Sequence, residues 1–220
     1  MPETRPKAVL FDFGGVFTTS PFRAFNRYET EAGLPPDFIR RLNAANADGN
    51  AWARLERSEV SAEEFCRLFE AEAAAAGYPL DARRVLGCLA GELQPAMVVA
   101  FERIRRHFKT ACLTNNAAVG QGPGMSRAPE TARRIAEVMA GFDVVVESSK
   151  VGARKPEPRF YRIACENLAV HPREAVFLDD LGVNLKPARA MGMRTIKVET
   201  VPQALAELEA MLEIPLLEAT

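Results

Sequence analysis

The residues able to do chemistry stand where apolar runs of this sequence stop. Ala8 to Phe11 run straight into a single acid, Asp12, followed by Phe13 and the pair Gly14-Gly15. Lys109 to Leu113 stop at Thr114-Asn115, and Ala175 to Leu178 stop at Asp179-Asp180, with Asn184 shortly after. Lys155 lies just before Pro156, at the start of the helix expected after a third run, Asp143 to Val146. If the runs are strands of one parallel sheet, all these groups arrive on its carboxyl edge, where open α/β sheets bind ligands. A carboxylate there is costly to bury unless a cation, hydrogen bonds or chemistry compensates it. Carboxylates converging at one place repel each other, and oxygen-only ligands suit Mg²⁺. One lysine and one threonine would hold an anion beside that metal. These are the parts of a phosphoryl-transfer site: a nucleophile, a metal, and donors for phosphoryl oxygens. Taken singly, each has a plainer reading, as a turn acid, a surface lysine or a helix cap.

Strands alternating with helices must position these groups. The apolar run before Asp12 fits a strand buried on both faces. Helices are expected over Pro95–Phe108, Pro129–Met139, Pro156–Leu168, Leu185–Met191 and Pro202–Met211, with a fifth strand at Arg194–Val198. That alternation predicts an α/β fold, a three-layer, Rossmann-like core with a parallel sheet and right-handed crossovers. From Phe22 to about Gly91 no strand pattern is visible. Phe22, Phe25, Asn26 and Glu29 fall at helical spacing, Pro35-Pro36-Asp37 opens a second helix, and Ala51 to Arg57 follow a break at Asp48-Gly49-Asn50. Ser61-Ala62-Glu63-Glu64 has the form of a capping box, and Asp81 caps the next helix. These residues read as an all-helical insert, a small domain of its own. Gly120, Gly122 and Gly124 mark the stretch from Ala117 to Ala128 as a mobile loop.

The bulk numbers narrow the classes. With 48% hydrophobic and 26% charged residues among 220, a sizeable core is available. A formal net charge of −1 argues against an electrostatic nucleic-acid binder. The most basic stretch, Arg103 to Lys109, suits the dipole at a helix end. Cys66, Cys88, Cys112 and Cys165 are widely spaced, which fits free thiols in a reducing compartment better than a zinc site or disulfide framework. The N-terminus lacks the apolar stretch of a signal peptide, and no segment approaches the roughly 18 apolar residues of a membrane span. A soluble, cytoplasmic protein without a nucleic-acid or membrane partner is expected; nothing sets its oligomeric state.

Along its whole length the chain resembles the haloacid dehalogenase-like hydrolases. Phe11-Asp12-Phe13-Gly14-Gly15-Val16 is similar to their first motif and Leu113-Thr114-Asn115 to the second. Gly152 to Pro158 is similar to the third, and Phe177 to Asn184 to the fourth. The fourth and its continuation Leu185 to Arg189 look most like the phosphatase domain attached to mammalian soluble epoxide hydrolase. The resemblance makes the insert a substrate-gating cap, and implies core residues 1–18 and 93–220 with a cap at 19–92. It also implies a phosphatase acting on a small phosphorylated metabolite. Asp12 would be the nucleophile that forms an aspartyl-phosphate. Thr114 would hydrogen-bond the phosphoryl group with help from the Asn115 amide, and Lys155 would neutralise charge. Asp12, the Gly14 carbonyl and Asp180 would bind Mg²⁺, with Asp179 and Asn184 close to its water shell.

One position departs from the family's phosphatase pattern. Two residues after the nucleophile such enzymes have a second Asp, whose carbonyl binds the metal and whose carboxyl protonates the leaving oxygen. Gly14 keeps the carbonyl and lacks the acid. General acid–base help is worth about 10²–10⁴-fold, so slow turnover or a preference for good leaving groups is expected. His107 and His171 both precede strands, at the far edge from the site. Asp48, Glu56 or Glu59 of the insert could reach over, and nothing in the sequence selects one. Trp52, in the same stretch, reads as insert core with substrate contact as the alternative. No lysine lies between Lys7 and Lys109, which excludes the branch that forms a Schiff base on a cap lysine. A metal-independent 2-haloacid dehalogenase and a weakly active binding module remain as alternatives, with Asp180 arguing against the first.

Overall fold

The computed structural model describes residues 5–117 and 128–216. Its centre is β1 (Ala8–Phe11), hydrogen-bonded on one side to β2 (Lys109–Thr114) and on the other to β4 (Ala175–Asp179). β3 (Val144–Glu147) pairs with β2, and β5 (Arg194–Lys197) with β4, giving a parallel sheet of order β3-β2-β1-β4-β5. A central strand has no wet face, so all four residues of β1 are apolar and buried.

Side chains alternate between the two faces of the strand. Val9 and Phe11 pack with α6 (Pro95–Ile104), α7 (Pro129–Met139) and α11 (Val201–Leu212). Ala8 and Leu10 pack with α9 (Pro158–Leu168) and α10 (Gly182–Ala190). These are the expected three layers. Phe11, Phe17, Phe101 and Phe142 form an aromatic knot beneath the sheet end, with centroids 4.2 to 6.1 Å apart.

Between β1 and α6 the chain leaves the sheet and forms α1 (Phe22–Glu31), α2 (Phe38–Ala44), α3 (Ala51–Glu56), α4 (Ala62–Ala75) and α5 (Ala82–Gly87). These helices have their own apolar cluster, which includes Phe25, Phe38, Ile39, Phe65 and Phe69. Trp52 stands edge-on to Phe25, Phe65 and Phe69, the core position expected of it. An antiparallel bridge between Thr18 and Leu93 ties the two connections of the insert together at its base.

Local details depart from expectation. Ser61 does accept from the Glu64 N–H, but the Glu64 carboxylate turns to Arg67, so only half of the capping box forms. Asp37, with a left-handed backbone, does not cap α2; Glu29, buried on α1, accepts the N–H groups of Asp37 and Ile39 instead. α6 ends at Ile104 rather than Phe108. A short helix, α8 (Ser148–Val151), follows β3, and α9 begins at Pro158 rather than Pro156. Lys155 therefore sits in the loop between α8 and α9. The Gly-rich stretch around Gly120 to Gly124 lies outside the described residues.

Candidate active site

Asp12 follows β1 directly, and its N–H still bonds to the Leu178 carbonyl of β4 at 2.8 Å. Its carboxylate accepts the Phe13 N–H at 2.6 Å and the Lys155 ammonium at 2.7 Å. Lys155 is 1% exposed and reaches Asp179 at 2.8 Å as well, so one cation bridges the ends of two strands. Asp179 ends β4, wholly buried. Its oxygens also accept the Leu181 N–H at 2.8 Å and the Asn184 amide at 3.0 Å. Tyr161 of α9 holds Asn184 in turn, donating to its carbonyl at 2.7 Å.

Asp180 takes a different role from its neighbour. Its carboxylate accepts the Ser20 hydroxyl at 3.2 Å. It leans over Gly15, where an added Cβ would stand 2.3 Å from Asp180 Oδ2. Gly15 also has φ +75°, so this turn requires glycine for its space and for its backbone. Carboxylate oxygens of Asp12, Asp179 and Asp180 lie within 4.8 Å of one another.

Charge in so small a volume shows in the ionisation of these groups. Burial, with the charges of Asp179 and Asp180, raises Asp12 well above the usual carboxylate range, although Lys155 opposes the shift. Burial and Asp179 push Asp180 up to about 6. Burial disfavours the Lys155 ammonium, but Asp12 and Asp179 outweigh that and raise its pKa. The cluster thus holds more carboxylate than one lysine neutralises, with oxygen donors only. That donor set fits a hard divalent cation such as Mg²⁺, with Asp12 and Asp180 the carboxylates least taken up by other partners.

Thr114 ends β2, buried, one strand away from Asp12. Asn115 comes next, and its side chain clasps the backbone of Lys155: Oδ1 accepts the Lys155 N–H at 2.8 Å and Nδ2 donates to the Lys155 carbonyl at 2.9 Å. Gly14 is half-buried, and a Cβ built on it meets nothing within 4 Å.

Every residue singled out at the strand ends therefore arrives at one edge of the sheet. Of the acids that could reach over from the insert, the structure selects Glu56, which accepts from Asn115 Nδ2 at 3.1 Å and from Arg154 Nε at 2.5 Å. Asp48 and Glu59 are exposed; Glu59 pairs with Arg57 at 2.6 Å. His107 is exposed before β2, and His171 caps a 3-10 turn before β4, both remote from the site as expected. Ser20, Arg154 and Tyr161 carry no sequence signal of their own, except that Arg154 adjoins Lys155.

A parallel sheet edge lined with three carboxylates around one buried lysine, with a helical insert joined beside it, is the arrangement on which the family comparison bears. The model of the haloacid dehalogenase-like hydrolases matches residues 6–192, and the chain belongs to that family. It is 35% identical over 218 residues to mouse acyl-CoA dehydrogenase family member 10 and 31% identical over 225 residues to pig bifunctional epoxide hydrolase 2. Both alignments take in 96% of this chain, but it spans only 19% and 40% of those longer proteins. The likeness to the epoxide hydrolase branch read from the fourth motif is thus found over nearly the whole chain. Phosphatase MT3486 of Mycobacterium tuberculosis is 31% identical, with 87% of each chain aligned. A crystal structure of a dehalogenase superposes with TM-score 0.65 over 96% of this chain and 98% of its own, at 18% identity, which establishes likeness of fold.

Proposed function

We infer that this chain is a Mg²⁺-dependent phosphatase of small phosphorylated metabolites, working through a phosphoryl group carried on Asp12. The observation that supports this best is the carboxylate cluster of Asp12, Asp179 and Asp180 around Lys155, at the edge where Thr114 and Asn115 also end. Asp12, Asp180 and the Gly14 carbonyl would hold the cation, and Asp179 and Asn184 would act from outside its first ligands. When bound, the cation neutralises carboxylate and phosphoryl charge together.

An oxygen of Asp12 attacks phosphorus, the ester oxygen leaves with the bonding pair, and the acyl phosphate remains. Thr114 Oγ1 and the Asn115 N–H donate to the phosphoryl oxygens, and Lys155 holds Asp12 in line and favours its ionised form against burial. With no carboxyl at Gly14, the leaving oxygen takes its proton from water. Water then attacks phosphorus, releasing inorganic phosphate and restoring Asp12. The core at 1–18 and 93–220 carries these groups, while the helices of 19–92 shape the chamber for the rest of the substrate. Four free cysteines suit a reducing, cytoplasmic setting, and among the described residues no helix is long and apolar enough to cross a membrane.

The test is a panel of phosphate monoesters with Mg²⁺, on which turnover disappears in Asp12→Asn. No turnover on any ester would overturn the reading. Chloride release from 2-haloacids without metal would instead support the dehalogenase alternative that the missing acid at Gly14 keeps open. Phosphate binding without either turnover would support a binding module.

A further inference from the structure

Glu56 ends α3, the helix of the insert that lies nearest the second and third motifs. Its side chain is 11% exposed and its two oxygens meet three donors from three segments. Oε1 accepts the Trp52 indole N–H at 3.0 Å, while Oε2 accepts Asn115 Nδ2 at 3.1 Å and Arg154 Nε at 2.5 Å. The Arg154 side chain, 14% exposed, is fixed further by donation from Nη1 to the Ala47 carbonyl at 3.0 Å. Neighbouring contacts join the same flank: Ser58 Oγ to the Ser149 carbonyl at 3.1 Å, and Arg57 with Glu157 at 3.7 Å.

Asn115 is the pivot of this arrangement. The amide that donates to Glu56 also clasps the Lys155 backbone from both sides, and Lys155 Nζ holds Asp12. A continuous chain of contacts runs from α3 through Glu56 and Asn115 to the backbone of Lys155, and on to the nucleophile.

We propose that Glu56 is a positioning residue, through which the helical insert fixes the Lys155 loop and so the lysine beside Asp12. The residue type is demanded by the donors. A carboxylate accepts at both ends, which the indole on one side and the amide and guanidinium on the other require. Glutamine would turn its NH₂ toward one of these donors and leave it unpartnered, and aspartate is a methylene too short to span both. With three donors around it, Glu56 is a strut and not the acid that Gly14 lacks. Its consequence for turnover rests on the phosphatase reading; the coupling itself does not.

The test is hydrogen exchange of the Lys155 amide, followed by NMR on the full chain, in wild type, Glu56→Gln and Arg154→Gln. That N–H is the one held by Asn115 Oδ1. Exchange at Lys155 is expected to rise about tenfold or more in both variants while β1 and β4 amides keep their protection. In the same variants, kcat for an aryl phosphate falls more than KM rises. Unchanged exchange at Lys155 in folded variants overturns the proposal. If Glu56→Gln loses protection throughout β1 and β4, it has failed to fold; Arg154→Gln, which removes the same ion pair from the core side, then decides. Absence of turnover on every ester would remove the phosphatase reading and leave the exchange result standing.

Discussion

Restoring a carboxyl at residue 14 tests the chemistry of the missing acid. A Cβ on Gly14 meets nothing within 4 Å, and the backbone there lies outside the left-handed region, so Gly14→Asp costs the fold little through sterics. The cost is electrostatic. Asp12 already stands well above the usual carboxylate range and Asp180 is pushed up to about 6 by burial and Asp179. A further carboxylate adds repulsion of up to roughly 4 kcal/mol for any neighbouring carboxylate that it approaches to about 4 Å, at an effective dielectric near 20, before any cation is present. The metal-free variant is therefore less stable than wild type, and Mg²⁺ raises its melting temperature by more. With Mg²⁺ bound, a general acid contributes about 10²–10⁴-fold where the leaving oxygen needs a proton. Alkyl phosphates gain that factor, while nitro-substituted aryl phosphates, which leave without help, gain little. The assay is kcat/KM for an alkyl and an aryl ester in both proteins. A folded, Mg²⁺-responsive Gly14→Asp whose alkyl-to-aryl ratio equals that of wild type would refute the reasoning.

Other perturbations follow from the same contacts. Lys155→Met leaves Asp12 and Asp179 buried without their cation, and urea unfolding at neutral pH should show a loss of about 3–5 kcal/mol that shrinks in acid as the carboxylates take up protons. Gly15→Ala drives Asp180 aside, since the new Cβ would lie 2.3 Å from its oxygen, and should abolish the Mg²⁺-induced rise in melting temperature. Tyr161→Phe removes the phenol's hydrogen bond to the Asn184 carbonyl and should cost about 0.5–1.5 kcal/mol by the same unfolding assay. Asp180, pushed from 3.8 to about 6, binds more protons in the native than in the unfolded chain between those values. Metal-free stability should therefore fall as pH rises through that window, and the thermal shift on adding Mg²⁺ should be larger at neutral pH than in mild acid.

The central strands and the acids at their ends were legible because burial on both faces leaves no room for polar residues. β1 is Ala8–Phe11, as read, and β4 runs one residue further, into Asp179. Edge strands tolerate polar positions, so β3 and β5 shift by a residue against their expected ends. Capping that reaches across helices left no local pattern. Glu29, from α1, accepts the N–H groups at the start of α2, and Arg67 takes the carboxylate that the capping box wanted from Glu64. The same distance problem hid Glu56 among three acids. Its partners Asn115 and Arg154 lie 59 and 98 residues away, and only the packed insert brings them to it. Ser20 was hidden similarly, 160 residues from Asp180.

The most direct measurement is to quench the enzyme in acid during turnover of a phosphate ester with Mg²⁺ and sequence the peptide that contains Asp12 by mass spectrometry. Repeating the turnover in water labelled with heavy oxygen shows where the label goes. Nucleophilic attack on phosphorus predicts one phosphoryl group on Asp12, none in Asp12→Asn, and label in the released phosphate with none in the Asp12 carboxylate. Label in Asp12, or turnover with that residue never phosphorylated, would contradict the account.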